Sequence, residues 1–191
     1  MERTLDQILA YHCAPALAGL KPSNLVSLSR EEFPDLEERL EEYRRLFAPR
    51  GVAFRTMCGC GRNVLLLVYR PAELERTLRA PLSAALLEKD GYDAGEDLAA
   101  MLDRLGRRLR AEGDFPHEIG LFLGYPLADV VGFMENGGEN CKYTGCWKVY
   151  SNVAEARQRF AQFKRCQSIY AVQFQRGKTL SQLTVPGFPP S

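Results

Sequence analysis

Few residues in this chain are suited to chemistry: two histidines, six cysteines and one lysine in an apolar setting. Cys13 follows His12 and precedes Ala14-Pro15, and proline suits the first turn of a helix. Backbone N–H groups at a helix start lower a thiol's pKa, so Cys13 is a candidate nucleophile or redox thiol. His117 lies in FPHEIGLFL, in what reads as the first turn of another helix. The positive end of the helix dipole disfavours imidazolium there. Neutral imidazole is the form required of a general base or metal ligand. A Cys13–His117 pair, with Glu118 or Asp114 orienting the imidazole, is one arrangement these residues predict. The competing reading is a buried, inert Cys13 and a histidine that only caps its helix, with Glu118 completing the cap. Lys21, in AGLKP, is a candidate buried base or anion contact, against the alternative of a side chain that reaches solvent.

The remaining cysteines invite a metal. Cys58-Gly59-Cys60 sits between two strand-like segments, Cys141 and Cys146 share a glycine-containing loop, and Cys166 follows a helical stretch. Thiolates from the two loops could close a tetrahedral zinc site, although C-x-C and C-x₄-C are weaker signals than paired C-x-x-C knuckles. Cys141, Cys146 and Cys166 form a second candidate set, for zinc or an iron–sulfur cluster. The same thiols could instead cycle to a disulfide, Cys141 with Cys146 or either with Cys166. His117-Glu118 lacks the second histidine of HExxH, which excludes a zincin-type site. Neither GxxxxGK[ST] nor GxGxxG occurs, so no nucleotide cofactor of those classes is expected.

The elements that must position these groups can be read from periodicity. Leu5, Ile8, Leu9 and His12 have helical spacing, and NLVSLS reads as a strand. FPDLEERLEEYRRLFAPRG is an amphipathic helix with Leu36, Leu40, Tyr43 and Phe47 on one stripe. VAFRTMC and NVLLLVYR form a hairpin near 52–70, the second strand apolar enough to be central and covered on both faces. Helices come next in PAELERTLR, APLSAALLEKDGY and DAGEDLAAMLDRLGRRLRAEG, whose closing arginines suit the helix dipole. WKVYS reads as a strand, NVAEARQRFAQFKRC as a helix, SIYAVQFQ as a final strand and GKTLSQL as a closing turn. The whole predicts one α+β domain over 1–184, with a mixed or antiparallel sheet of about 4–5 strands packed by several helices. Residues 185–191 are expected to form a flexible Pro-rich tail.

Residues 116–135 (PHEIGLFLGYPLADVVGFME) predict two short helices split by Gly124, in a helix-turn-helix arrangement. A recognition helix needs Arg, Lys, Asn, Gln or Ser at its start. This one offers Pro126, Leu127, Ala128, Asp129 and Val130, so nucleic acid is not the expected partner. The pair either packs internally or presents an apolar surface for a protein partner or self-association.

Composition narrows the classes further. Among 191 residues, 46% are hydrophobic and 26% charged, which excludes wholesale disorder. Lys+Arg (25) and Asp+Glu (24) leave a net charge of +1, with no global pull toward nucleic acid or anionic membrane. The N-terminus lacks the apolar core of a signal peptide, and no run is long enough to span a membrane. The chain is expected to be cytoplasmic, with its cysteines reduced unless they bind metal or do redox work.

Three motifs carry a resemblance: HCAPALAGLKPSNL, FPHEIGLFLGYPLADVVGF, and NCKYTGCWKVY with, after it, the helix ending KRC. Together they resemble a bacterial family catalogued as a domain of unknown function and associated mainly with anaerobes. The resemblance covers nearly the whole chain and implies a single-domain, cytosolic, stand-alone protein. It supplies no activity. The family pattern implies importance for Cys13, Cys141, Cys146 and Cys166 with His12, Lys21, His117 and Glu118. Cys58 and Cys60 fall outside that pattern, and relatives often carry a cysteine where this chain has Tyr143. The sequence thus leads to three expectations: thiol-dependent chemistry at Cys13 and His117, with Glu118 and Lys21 nearby; metal binding through Cys141, Cys146 and Cys166; or a non-enzymatic interaction module at 116–135.

Overall fold

The computed structural model describes residues 4–58, 62–93, 95–111 and 115–187. Cys60, Asp114 and the side chain of Cys58 therefore lie outside the described residues, and so does the four-thiolate site that would use both loops. The N-terminal helix α1 (Leu5–His12) starts on a capping box in which Thr4 and Gln7 bond each other's backbone N–H. A single turn, α2 (Ala14–Leu17), comes next with Pro15 in its first positions, and the chain enters β1 (Ser23–Ser29). Helix α3 (Leu36–Phe47) buries Leu36, Leu40 and Phe47, the stripe its periodicity predicts.

Strands β2 (Ala53–Cys58) and β3 (Asn63–Tyr69) form the expected hairpin, and β1 pairs with β3 on its other side. The sheet is antiparallel in the order β1-β3-β2, which makes β3 central. Because side chains alternate across a strand, Val64, Leu66 and Val68 face one core and Leu65, Leu67 and Tyr69 the other. The first core is closed by α1, α2 and α3 and by the long helix α9 (Val153–Gln175). The second is closed by α4 (Pro71–Leu78), α5 (Pro81–Lys89), α6 (Leu98–Arg110), α7 (Ile119–Phe122) and α8 (Leu127–Glu135). Each fully buried leucine here contributes roughly 1.5–3 kcal/mol.

The fold is α+β, but the sheet is smaller than the sequence suggests. WKVYS supplies only β5 (Lys148–Val149), which pairs with β4 (Tyr143–Thr144) in a separate two-stranded ribbon. SIYAVQFQ is no strand: it is the last third of α9, which runs unbroken through Cys166. The closing turn α10 (Leu180–Leu183) has its own capping box from Thr179 and Gln182. No helix among the described residues is long and apolar enough to cross a membrane.

The start of the expected tail is tied down. Val185 N–H donates to Leu17 O and Gly187 N–H to Arg50 O. The buried Arg70 guanidinium donates to Ala16 O, Leu17 O and Val185 O at 2.6–2.7 Å. That cation answers its burial with carbonyl acceptors rather than a carboxylate. Residues 188–191 lie outside the described residues.

Candidate functional site

The site begins at the turn between α7 and α8. Gly124 takes φ +71°, a left-handed conformation that side chains rarely adopt, and Pro126 restarts the helix two residues later. The pair forms as the sequence predicts, but its apolar face belongs to the second core, where Ile119, Leu121, Phe122 and Val130 are buried.

A carboxylate inside this apolar pair organises the docking of the ribbon. Asp129 is 2% exposed and accepts four hydrogen bonds: from Trp147 Nε1 (2.7 Å), Tyr150 N (2.9 Å), Ser151 N (2.8 Å) and Ser151 Oγ (2.7 Å). Burial alone would raise its pKa, but the bonds from Ser151, Tyr150 and Trp147 outweigh burial and hold it below the ordinary carboxylate range. Asp129 thereby pins the β4–β5 ribbon to α8. Trp147 then stacks on Tyr125 with ring centroids 4.9 Å apart and meets Phe160 of α9 edge-on at 4.4 Å.

This docking forms one wall of an open apolar pocket of about 260 Å³. Its walls include Tyr125, Val130, Phe133 and Trp147, and its ionisable lining groups besides Asp129 and the Tyr125 phenol are His117, Cys146 and Lys148. The His117 ring stands edge-on to Phe133 at 4.9 Å, and the Lys148 ammonium lies 5.8 Å from the centroid of the same ring. His117 and Cys146 are distant in sequence and come to line one pocket only because the ribbon docks against α8.

Lys21 stands behind that wall. Its ammonium is buried between aromatic rings, 5.4 Å from the centroid of Tyr125 and 5.7 Å from that of Phe163, while the residue as a whole stays partly exposed. Burial lowers its pKa to about 8, against the opposing pull of Cys146 and then Cys13. The lysine is thus within electrostatic reach of two thiols. Burial pushes the Cys146 thiol up, and Lys21 draws it back down.

The other predicted residues fall elsewhere. Cys13 is fully buried in the first core beside α2, a helix of one turn, and burial raises its pKa from 9.0 to about 12 despite Lys21. It does not line the pocket that His117 lines. His12 is exposed, edge-on to Tyr11. Glu118 does not reach toward His117 as an orienting group: it is 1% exposed, paired with Arg108 at 2.6 Å and hydrogen-bonded by Tyr92 at 3.1 Å. Burial and then Glu118 push the Tyr92 phenol up. Arg110 donates to Met57 O, so two of the three arginines closing α6 are used internally.

Cys166 is buried in the first core from α9, where burial raises its pKa to about 11. Cys141 is half-buried on the ribbon, 3.4 Å from Thr144 Oγ1, and Cys146 is exposed at the ribbon's tip. Among the described residues, no group of three or more His, Cys, Asp or Glu is placed to hold a metal ion. The residue types single out His117, Cys146 and Lys21 but not Asp129 or Lys148. The signal for Asp129 is a lone aspartate in the apolar stretch PLADVVGFM.

No curated protein matches the chain, and no solved structure matches it. Residues 9–184 match the family described as Protein of unknown function (DUF3793), and the chain belongs to that family.

Proposed function

We propose that this is a thiol-dependent protein whose reactive sulfur is Cys146, with His117 as proton acceptor and Lys21 as the cation that steadies the thiolate. One observation carries this reading: Cys146 and His117 line the same apolar pocket. A thiol whose pKa is raised rests protonated near neutral pH, so it needs a base to become a nucleophile. The proton on Sγ passes to the unprotonated imidazole nitrogen of His117, which leaves a thiolate facing the pocket. Lys21 favours that thiolate through the charge it places behind Tyr125. Cys13, sealed in the core, serves packing and adds a second thiol near Lys21.

The test is the pH dependence of Cys146 alkylation by iodoacetamide, followed peptide by peptide. Lys21→Met and His117→Gln should each raise the apparent pKa of Cys146. A rise of about half a pKa unit lowers the rate by about threefold near neutral pH. Alkylation of Cys146 that ignores both substitutions would remove the basis for the assignment.

A further inference from the structure

We infer that the pocket beside Cys146 binds a small aromatic carboxylate, an anion carried on a single ring. The size comes first. About 260 Å³ lies just under the roughly 300–1,000 Å³ of drug-sized sites, which suits a one-ring ligand rather than a nucleotide or peptide. The walls come second. Tyr125, Phe133 and Trp147 present aromatic surface, and Phe115 stands 55% exposed at the rim, an apolar side chain left for a ligand to cover.

The charge decides the headgroup. Asp129, the acidic residue that lines the pocket, is 2% exposed and already answered by four donors from Trp147, Tyr150 and Ser151, three of them on Oδ1 and one on Oδ2. Among the remaining polar lining groups, Lys148 and His117 are nitrogen donors. Lys148 Nζ gives one bond to Gly138 O at 2.6 Å, and an ammonium carries three N–H groups, so it can offer more. His117, whose ring also packs against Phe133, can donate a second hydrogen bond. Lys21 adds positive potential from behind Tyr125. A carboxylate between Lys148 and His117 receives charge-assisted hydrogen bonds, whereas an ammonium there meets like charge. The ring then lies against Trp147 and Phe133.

The inference concerns the same pocket as the thiol proposal, so its test removes the thiol. Cys146→Ser protein is titrated with phenylacetate, with phenethylamine as the cation of similar shape, and with acetate as headgroup alone. Trp147 is the chain's single tryptophan, so its emission reports the pocket. Phenylacetate should bind saturably and about tenfold or more tighter than phenethylamine, and acetate should give no signal in the same range. Lys148→Gln should weaken phenylacetate by about tenfold, and Lys148→Arg should restore it. His117→Gln, at an exposed position, should also weaken it and decides the matter if Lys148→Gln loses its fold. Equal or tighter binding of phenethylamine, or no saturable binding of either aromatic, overturns the inference. Failure of the thiol proposal would appear only in the alkylation experiment.

Discussion

Replacing Lys21 by methionine should make this protein more stable and its Cys146 less reactive. The folded state holds Lys21 with its pKa lowered from 10.5 to about 8. A depressed lysine pKa means that the folded state binds the proton less well than the unfolded chain does. Protonated Lys21 therefore costs stability below its folded pKa, and that cost is relieved as pH rises from about 8 toward 10.5. At about 1.4 kcal/mol per pKa unit, the cost at neutral pH is at most about 3.5 kcal/mol. Methionine fills similar volume without the charge but forfeits the ammonium–ring contacts to Tyr125 and Phe163, worth about 0.5–2 kcal/mol. The net expectation is a gain of about 1–3 kcal/mol near neutral pH, read by urea denaturation with Trp147 emission. The gain should shrink as pH rises through about 8. The cleanest window lies between about 8 and 9.0, because Cys13 titrates from 9.0 in the unfolded chain to about 12 in the folded one and pulls stability the other way above that. A loss of stability in Lys21→Met, or a difference that does not change with pH, would refute the reasoning.

Other substitutions probe separate parts of the structure. Asp129→Asn removes a buried charge that accepts four hydrogen bonds and should cost about 2–4 kcal/mol, measured by urea denaturation. Because the Asp129 pKa is depressed, its contribution is present above the unfolded value and is lost as pH falls through the folded one. The variant should therefore show a shallower loss of stability in acid than wild type. Gly120→Ala puts a Cβ 2.8 Å from Val130 Cγ2 and 3.2 Å from the Tyr125 ring, and overpacking there should lower stability by about 1–3 kcal/mol in the same assay. Cys13→Ala, at a fully buried site, should lower the thermal midpoint while leaving the alkylation rate of Cys146 within about twofold of wild type.

Much of the scaffold is legible from residue spacing. The run Asn63–Tyr69 demands cover on both faces and receives it as the central strand. Leu36, Leu40 and Phe47 turn inward as their spacing requires. Residues 168–175 resemble a strand for a local reason: Ile169, Tyr170, Val172 and Phe174 favour strands by type. Yet Phe163, Cys166, Tyr170 and Phe174 recur every three or four residues with no Gly or Pro between them, and Cys166, Tyr170 and Phe174 pack on the first core. A continuous apolar stripe wins over local propensity.

The site is legible only in pieces. His117 and Lys21 stand out by type, but the thiol that shares a pocket with His117 is set by how the ribbon docks, and Asp129 sets the docking. Helix-start reasoning favours Cys13, but the single turn after it cannot offset complete burial. Glu118, adjacent to His117 in sequence, turns into the core to meet Arg108 and Tyr92. Sequence neighbours at a helix start need not share a side, and here they do not.

The most direct measurement is a site map of sub-stoichiometric alkylation on the native, reduced protein, read by peptide mass spectrometry. Among Cys13, Cys141, Cys146 and Cys166, Cys146 should take the first label, and Cys13 and Cys166 should take it only on unfolding. First labelling at Cys13 or Cys166, with Cys146 left unmodified, would contradict the assignment of the reactive sulfur.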